Sequence, residues 1–342
     1  MPGKRRGNLS QVGEDALVRL FGGRARPGRH GTALLGPGDD AAAVRPPRGA
    51  DLLLTTDLLA EGVHFRRAWA PPAALGWKLA AVNASDIAAM GGRPLWALLS
   101  VALPPDLDAA FAAGVARGLR AAARRFGFAL VGGDTCASGA GVFLSLTLIG
   151  AAGPRLLTRA GARPGDLLFV TGHLAASALG LEALERHGAG PLPAALRACA
   201  RRHLRPEPRL AFGAALARAG LATAALDVSD GLARDLARLC AASRVGARVD
   251  AGALPILPGT RRAAALLDRD PVHAALHGGE EYELLFAAGA RSGARSAALG
   301  RRLGVPVARI GAVVPRRAGL TMVTADGAGH RLVPRSWEHF GG

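Results

Sequence analysis

Short apolar runs that stop at an acid constrain this chain more than any other feature. Leu52-Leu53-Leu54 runs into Thr55-Thr56-Asp57, Leu130-Val131 into Gly132-Gly133-Asp134-Thr135, and Ala224-Ala225-Leu226 into Asp227-Val228-Ser229-Asp230-Gly231. A run of this kind fits a buried strand that delivers its last side chains to a site. Further strands are predicted over 96–103, 128–131, 142–150, 167–171, 282–287 and 308–314. Helices are predicted over 14–21, 71–90, 106–126, 178–186, 194–202, 210–219, 232–243 and 294–303. The helix over 71–90 has Pro71-Pro72 near its start and Gly91-Gly92 at its end, which is the expected punctuation. Residues 22–38 read as a Gly- and Arg-rich loop. Strands alternate with helices in both halves, so the fold class is α/β (α+β), with sheets covered by helices. The chain has 342 residues, a length that points to two domains. Ala151-Ala152-Gly153-Pro154 is the natural join. The expected units are a loose basic tail over 1–13, a first domain over 14–152 and a second over 153–342.

The acids call for a partner. A carboxylate removed from water is costly unless it is paired or bound to a cation, and few of the arginines sit beside these acids in sequence. Asp39 and Asp40 occupy a glycine turn, and Asp86 lies in a helix among Val82, Ile87 and Met90, one turn after Asn83. Asp is a poor helix former, and Asn83 and Asp86 share a face. Oxygen donors without His or Cys suit Mg²⁺, which is held by a few carboxylates together with phosphate oxygens. Each acid also has an ordinary structural reading. Asp39, Asp40 and Asp134 fit solvated turns, Asp57 fits a strand end, and Ser229 or Asp230 fits a helix cap. A cap at that position is compatible with phosphate at the helix N-terminus. Gly278-Gly279-Glu280-Glu281-Tyr282-Glu283 sets three more acids just before a strand, and His64 follows Asp57 by seven residues.

Composition narrows the partners. The formal charge is +17, which by itself suggests an anionic partner such as nucleic acid. Only Lys4 and Lys78 are lysines, however, and the arginines are spread over the whole chain. No aromatic residues interleave with basic ones to stack bases, so the charge reads as solvated surface. Cys136, Cys199 and Cys240 are odd in number and far apart. They offer neither metal spacing nor a disulfide framework, so a reducing cytoplasm is expected. No apolar stretch is long enough to span a bilayer, and no apolar segment follows the basic start as in a signal peptide.

Several nucleotide and catalytic signatures are absent. No Gly-x-x-x-x-Gly-Lys-Ser/Thr loop, His-Arg-Asp catalytic loop or Gly-x-Ser-x-Gly elbow occurs. Gly36-Pro37-Gly38 is followed by two acids where a dinucleotide fold would start a helix. What does occur is an ordered series. It runs Gly-Asp-Asp, Thr-Thr-Asp, Gly-Val-His-Phe, Val-Asn-Ala-Ser-Asp-Ile-Ala-Ala-Met-Gly, Gly-Gly-Asp-Thr, Leu-Thr-Arg-Ala-Gly-Ala-Arg-Pro-Gly-Asp, Asp-Val-Ser-Asp-Gly-Leu and Gly-Gly-Glu-Glu-Tyr-Glu-Leu. From about Glu14 to Phe340 this order resembles the thiamine-monophosphate kinases. They form a family of the aminoimidazole-ribonucleotide synthetase-like ATP-binding superfamily.

The resemblance implies a two-domain fold whose N-terminal sheet forms a barrel with its twin in a homodimer, followed by a second α/β domain. It implies transfer of the γ-phosphoryl group of ATP to thiamine monophosphate, with several Mg²⁺ ions. By motif match, Asp40, Thr55, Thr56, Asp57, Asp86, Asp134, Asp227 and Asp230 would hold the metal. Gly133, Asp134, Arg159, Ser229 and Phe126 would meet ATP, with Phe126 standing where some relatives have Tyr. His64, Glu280 and Trp337 would meet the thiamine phosphate, and no residue is assigned as general base. Glu281 stands where many members carry Asp. Other superfamily members remain alternatives, although the chain lacks both the C-terminal cysteine of the hydrogenase-maturation dehydratase and the N-terminal cysteine of selenophosphate synthetase.

Overall fold

The computed structural model describes residues 8–22, 32–37, 40–324 and 326–334, which fall into two compact units. The first comprises the described residues up to Ile87 together with Arg93–Ala152. The second takes Ala88–Gly92 and the described residues from Gly153 onward.

The first unit contains α1 (Leu9–Val12), α2 (Glu14–Gly22), β1 (Thr32–Leu35), β2 (Ala43–Arg45), β3 (Leu52–Ala60), α3 (Pro72–Ala89), β4 (Arg93–Leu103), α4 (Ala109–Phe126), β5 (Ala129–Ala137) and β6 (Phe143–Ala151). Only the last two residues of α3 belong to the second unit. The expected tail is shorter than the sequence suggests. Leu9 is buried, and the Leu9 and Ser10 N–H groups donate to the carbonyls of Leu107 and Pro105, both at 3.0 Å. The expected loop over 22–38 includes β1, which pairs antiparallel with β2.

The four-stranded sheet has the order β3-β6-β4-β5, antiparallel except for the parallel β4–β5 pair. Strand alternation gives it two unlike faces. Leu144, Leu146 and Leu148 of β6 are fully buried with Leu99 and Val101 of β4 on one face. On the other face Leu54 is 71% exposed, Leu58 49% and Leu98 38%. Gly132-Gly133-Asp134-Thr135, beyond the expected end of the strand at Val131, continues β5. Gly133 makes this possible. It adopts φ +151°, and a Cβ there would stand 1.7 Å from the Leu99 carbonyl oxygen. Helix α4 starts on Asp108, whose side chain accepts from Ala110 N, and stops at the left-handed Gly127.

The second unit contains β7 (Leu167–Thr171), α5 (Ala176–His187), α6 (Ala194–Leu204), α7 (Leu210–Arg218), β8 (Ala224–Asp227), α8 (Leu232–Ser243), β9 (Gly246–Asp250), α9 (Pro258–Leu267), α10 (Pro271–His277), β10 (Leu284–Ala288), α11 (Ala290–Leu303), β11 (Val307–Val314), β12 (Leu320–Val323) and β13 (Gly329–Arg331). Among the described residues its sheet has the order β13-β12-β9-β11-β7-β10-β8, and only the β9–β12 pair is parallel. Strand β10 is buried along its whole length. Helices α5, α6, α8, α9 and α10 pack Leu, Ala and Val side chains against one face, while Phe169, Phe212 and Phe286 fill the other. No helix among the described residues is long and apolar enough to cross a membrane.

Candidate phosphate and metal sites in each unit

In the first unit, strand alternation divides Thr55-Thr56-Asp57. Thr55 and Asp57 point to the buried face and Thr56 to the open one. Thr55 Oγ1 donates to Asp86 Oδ2 at 2.5 Å, joining β3 to α3. Burial, then the nearby Asp86 charge, pushes the Asp57 carboxyl up to about 6. Two carboxylates and a hydroxyl therefore share a water-poor place. This is the environment that a divalent cation relieves. Asn83, one turn earlier on α3, donates to the Leu79 carbonyl, and its own Oδ1 is buried with no hydrogen-bond partner.

Thr56 lies on the opposite face, where Thr147 Oγ1 donates to its Oγ1 at 3.1 Å. Asp134 shares that face, in register with Ser100 on β4. Here a cavity of about 600 Å³ opens, walled by Ser100, Thr147, Gly133 and Asp134 from the sheet, Asp40 from the loop before β2, and Phe21 from α2. Its volume suits a nucleotide-sized ligand. The structure thus brings Asp40, Gly133 and Asp134 to one cavity. Phe126, expected to meet ATP, packs edge-to-face on Trp77 with ring centroids 5.0 Å apart and is not among the residues that wall this cavity. Phe21 is the aromatic that borders it. His64 follows β3, where its Nδ1 accepts from Ala60 N at 3.1 Å, which leaves the ring proton on Nε2.

In the second unit, Asp227 ends β8 and is 4% exposed. Beyond it two loops are zipped together by backbone bonds. Val228 N donates to Glu283 O, Tyr282 N to Val228 O and Glu280 N to Ser229 O, at 2.7–2.8 Å. The Asp-Val-Ser-Asp and Gly-Gly-Glu-Glu segments, about 50 residues apart in sequence, therefore form one surface. Glu280 and Tyr282 hold φ +62° and +53°, a strained region for residues with side chains. Glu280 Oε2 sits 3.1 Å from Nδ1 of the buried His203, which also meets Ser177 Oγ at 3.2 Å.

Asp230 has a guanidinium partner, Arg238 Nη2 at 2.5 Å, although few arginines stood beside the acids in sequence. The backbone of Arg159 lies far from Ser229 along α8. Its carbonyl accepts from Ser243 at the far end of α8, about 18 Å along that helix. Trp337 and Asp39 lie outside the described residues. Sequence reasoning missed His203, Ser177, Asp235, Arg238 and Phe21. Of these only Asp235 left a local signal, an acid in the first turn of a helix whose N-cap is glycine.

Glu281 is fully buried. Its Oε1 accepts from Ser177 N at 3.0 Å, and its Oε2 has no partner. Burial outweighs the nearby Arg202 and pushes its carboxyl up to about 8. A folded-state value above the unfolded one means the folded chain holds the proton more tightly. The stabilisation is therefore complete below about 4.5 and drains away as pH rises through about 8. Glu281→Gln is expected to flatten this slope. Urea midpoints of the wild type should fall between pH 5 and 8 while those of the variant change less, and parallel profiles would refute the assignment.

Among the described residues, no three His, Cys, Asp or Glu side chains gather into a metal group. Mg²⁺ in nucleotide sites commonly uses one or two carboxylates and completes its shell with phosphate and water. The oxygen donors at Asp57, Asp86 and Thr55, and at Asp227 and Asp230, fit that ion better than a dedicated protein cage.

Comparison with known proteins adds a separate line. Residues 38–152 match the family model for AIR synthase related protein, N-terminal domain, and residues 163–323 match that for the C-terminal domain. The thiamine-monophosphate kinase of Escherichia coli K12 is 37% identical over 96% of this chain and 98% of its own. The crystal structure of thiamine-monophosphate kinase from Stenotrophomonas maltophilia superposes with a TM-score of 0.77 at 38% identity, over 88% of this chain and 92% of the other. AaThiL complexed with AMPPCP and TMP superposes with a TM-score of 0.75 at 31% identity, over 98% and 100%. Carboxylates at strand ends, a glycine-bearing cavity strand and this breadth of match agree, and the chain belongs to the thiamine-monophosphate kinase family of AIR synthase related proteins.

Proposed function

We propose that the chain transfers the γ-phosphoryl group of ATP to thiamine monophosphate, giving ADP and thiamine diphosphate. The observation that carries this reading is the water-poor Thr55, Asp57 and Asp86 constellation in a chain of this family. A relative with the same fold was crystallised with AMPPCP and TMP, which supports both substrates. In the first unit, Asp57, Asp86 and Thr55 would hold Mg²⁺, while Asp40, Gly133 and Asp134 would border the nucleotide in the cavity beside Phe21. Thr56 would serve from the open face. In the second unit, Asp227, Ser229 and Asp230 would take metal and phosphate. His64 and Glu280 would meet the thiamine phosphate, the Glu280 carboxylate answering the positive charge of the thiazolium ring.

The acceptor is already an ionised phosphate oxygen, so no strong general base is required. The barrier is repulsion between two polyanions. Mg²⁺ supplies neutralising charge for in-line transfer. The chain's own contribution is a set of carboxylates placed in advance, on a loop whose backbone is held by Glu283 and Asp235. The open sheet face, with Leu54 71% and Leu58 49% exposed, supports a homodimer through that face. Sedimentation as a monomer at micromolar concentration would contradict this. A cytoplasmic enzyme agrees with the absence of a membrane-crossing helix among the described residues.

The deciding experiment incubates purified protein with Mg-ATP and thiamine monophosphate and identifies the product by mass. Thiamine diphosphate should form, and EDTA should abolish it. ATP turnover without that product, or turnover that survives chelation, would refute the reading.

A further inference from the structure

The loop that carries Ser229 and Asp230 is fastened by two side chains with no role in the proposed transfer. Asp235, in the first turn of α8, is fully buried. Its Oδ2 accepts the backbone N–H groups of Ser229 and Asp230, each at 3.0 Å. Its Oδ1 accepts from Arg238 Nη1 at 2.8 Å. The other guanidinium nitrogen, Nη2, lies 2.5 Å from Asp230 Oδ2. Arg238 therefore bridges the carboxylate that anchors the loop and the carboxylate that the loop presents.

The two halves of this bridge differ in strength. Asp235 has no access to water, so its bonds to the two N–H groups and to Arg238 are costly to break. The Asp230 side chain is 35% exposed and that of Arg238 36%. A pair so open to solvent holds its members weakly. A divalent cation has twice the charge of the guanidinium and a smaller radius, so it competes well for Asp230. Arg238 stays moored on Asp235 when Asp230 is taken from it.

We propose that Asp235 and Arg238 are positioning residues for this loop, Asp235 fixing the backbone of Ser229 and Asp230 and Arg238 holding Asp230 as a counter-ion that a divalent cation displaces. The inference rests on the reading of Asp230 as a metal ligand. It goes further in assigning work to two residues outside the motif, and it makes the cation site of the second unit a place of exchange.

Two readouts independent of catalysis test it: Mn²⁺ binding to the metal-free protein by electron paramagnetic resonance, and amide hydrogen exchange over residues 228–231 by mass spectrometry. Arg238→Met removes the competitor and leaves the anchor. It is expected to bind Mn²⁺ about threefold more tightly, as loss of a weak exposed pair allows, with exchange rising less than in Asp235→Ala, because Asp235 keeps both N–H partners but loses its buried cation. Asp235→Ala removes the anchor, and exchange over the loop should rise at least about tenfold while Mn²⁺ binding weakens. Asp235→Asn keeps an acceptor oxygen for the two N–H groups but unmoors Arg238. It is expected to show smaller changes of both kinds and serves where the alanine variant fails to fold. Asp230→Asn separates the two levels of the argument. If it binds Mn²⁺ like the wild type, the reading of Asp230 falls and the counter-ion role falls with it. If it binds weakly but Arg238→Met binds no more tightly than the wild type, the counter-ion role alone is overturned. Unchanged exchange in a folded Asp235→Ala variant overturns the anchor.

Discussion

Asp57→Asn is expected to fold, to melt no lower than the wild type at pH 8 in metal-free buffer, and to turn over at least about a hundredfold more slowly, ~2.7 kcal/mol at the transition state. The two halves of this result have one cause. Asp57 is crowded by protein on the buried sheet face and stands near the Asp86 charge, so its carboxyl is raised to about 6. A raised value means that ionising Asp57 above that pH costs the folded state, so its contribution to stability is lost as pH rises through about 6. Asparagine has nearly the same shape and carries no charge to hold. The stability gain at pH 8 is about 3 kcal/mol. The same change removes an anionic oxygen from the proposed magnesium site, where charge does the work. Thr56→Ala, on the other face of the strand, is expected to cost much less. The measurements are thermal melts at pH 5 and 8 with EDTA, and kcat with Mg-ATP. An Asp57→Asn enzyme with wild-type turnover would remove Asp57 from the mechanism. An inactive variant that is also strongly destabilised at pH 8 would make Asp57 a structural residue instead.

The contrast between Thr55, Thr56 and Asp57 shows what a sequence can and cannot disclose. That the apolar run is a strand was legible, and a period of two already separates Thr56 from its neighbours. Which face is buried required the register of β3 on β6. The segments Leu167–Thr171 and Leu232–Ser243 have the bounds expected for them, because Pro164-Gly165-Asp166 and Ser229-Asp230-Gly231 punctuate them sharply. Strands β9, β12 and β13 were not legible. Gly246–Asp250 has no apolar run, and it is a strand because β11 and β12 flank it. Helix α10 was legible in principle, since Asp270 precedes Pro271 and its side chain accepts from Val272 N and His273 N. The setting of Phe126 was not legible, because it depends on Trp77, far away in sequence. The His203–Glu280 contact spans 77 positions between two helical and loop segments with no pattern in common. Motif strings report the ends of strands faithfully. They do not report what holds those ends still.

What holds the Glu280 loop still is a buried ion cluster, and Arg209→Leu is expected to cost roughly 3–5 kcal/mol of folding stability by breaking it. Glu283 has no exposed surface. Arg209 meets it through Nε at 2.6 Å and Nη2 at 2.5 Å, Thr171 Oγ1 donates to it at 2.7 Å, and Arg202 supplies a further bond. Gly172, at φ +59°, lies so close that an added Cβ would stand 2.0 Å from Glu283 Oε1. The glycine thus lets the carboxylate lie against the backbone, where water cannot replace a lost arginine. The expected costs are unequal for that reason. Arg209→Leu strands a buried anion, whereas Glu283→Gln leaves two arginines whose side chains retain 17% and 22% exposure and can reach solvent. The glutamine variant should therefore lose less stability than the leucine variant. Because Glu283 directly follows Tyr282 and its carbonyl accepts from Val228 N, the cluster also opposes relaxation of the strained Glu280 and Tyr282. Arg209→Leu should then raise the KM for thiamine monophosphate in the fraction that remains folded, although Arg209 is not proposed to touch substrate. Urea denaturation of the three proteins at pH 7 gives the order of stabilities. A leucine variant within about 1 kcal/mol of the wild type, less than a broken buried pair allows, would show that Arg202 and Thr171 satisfy Glu283 without Arg209.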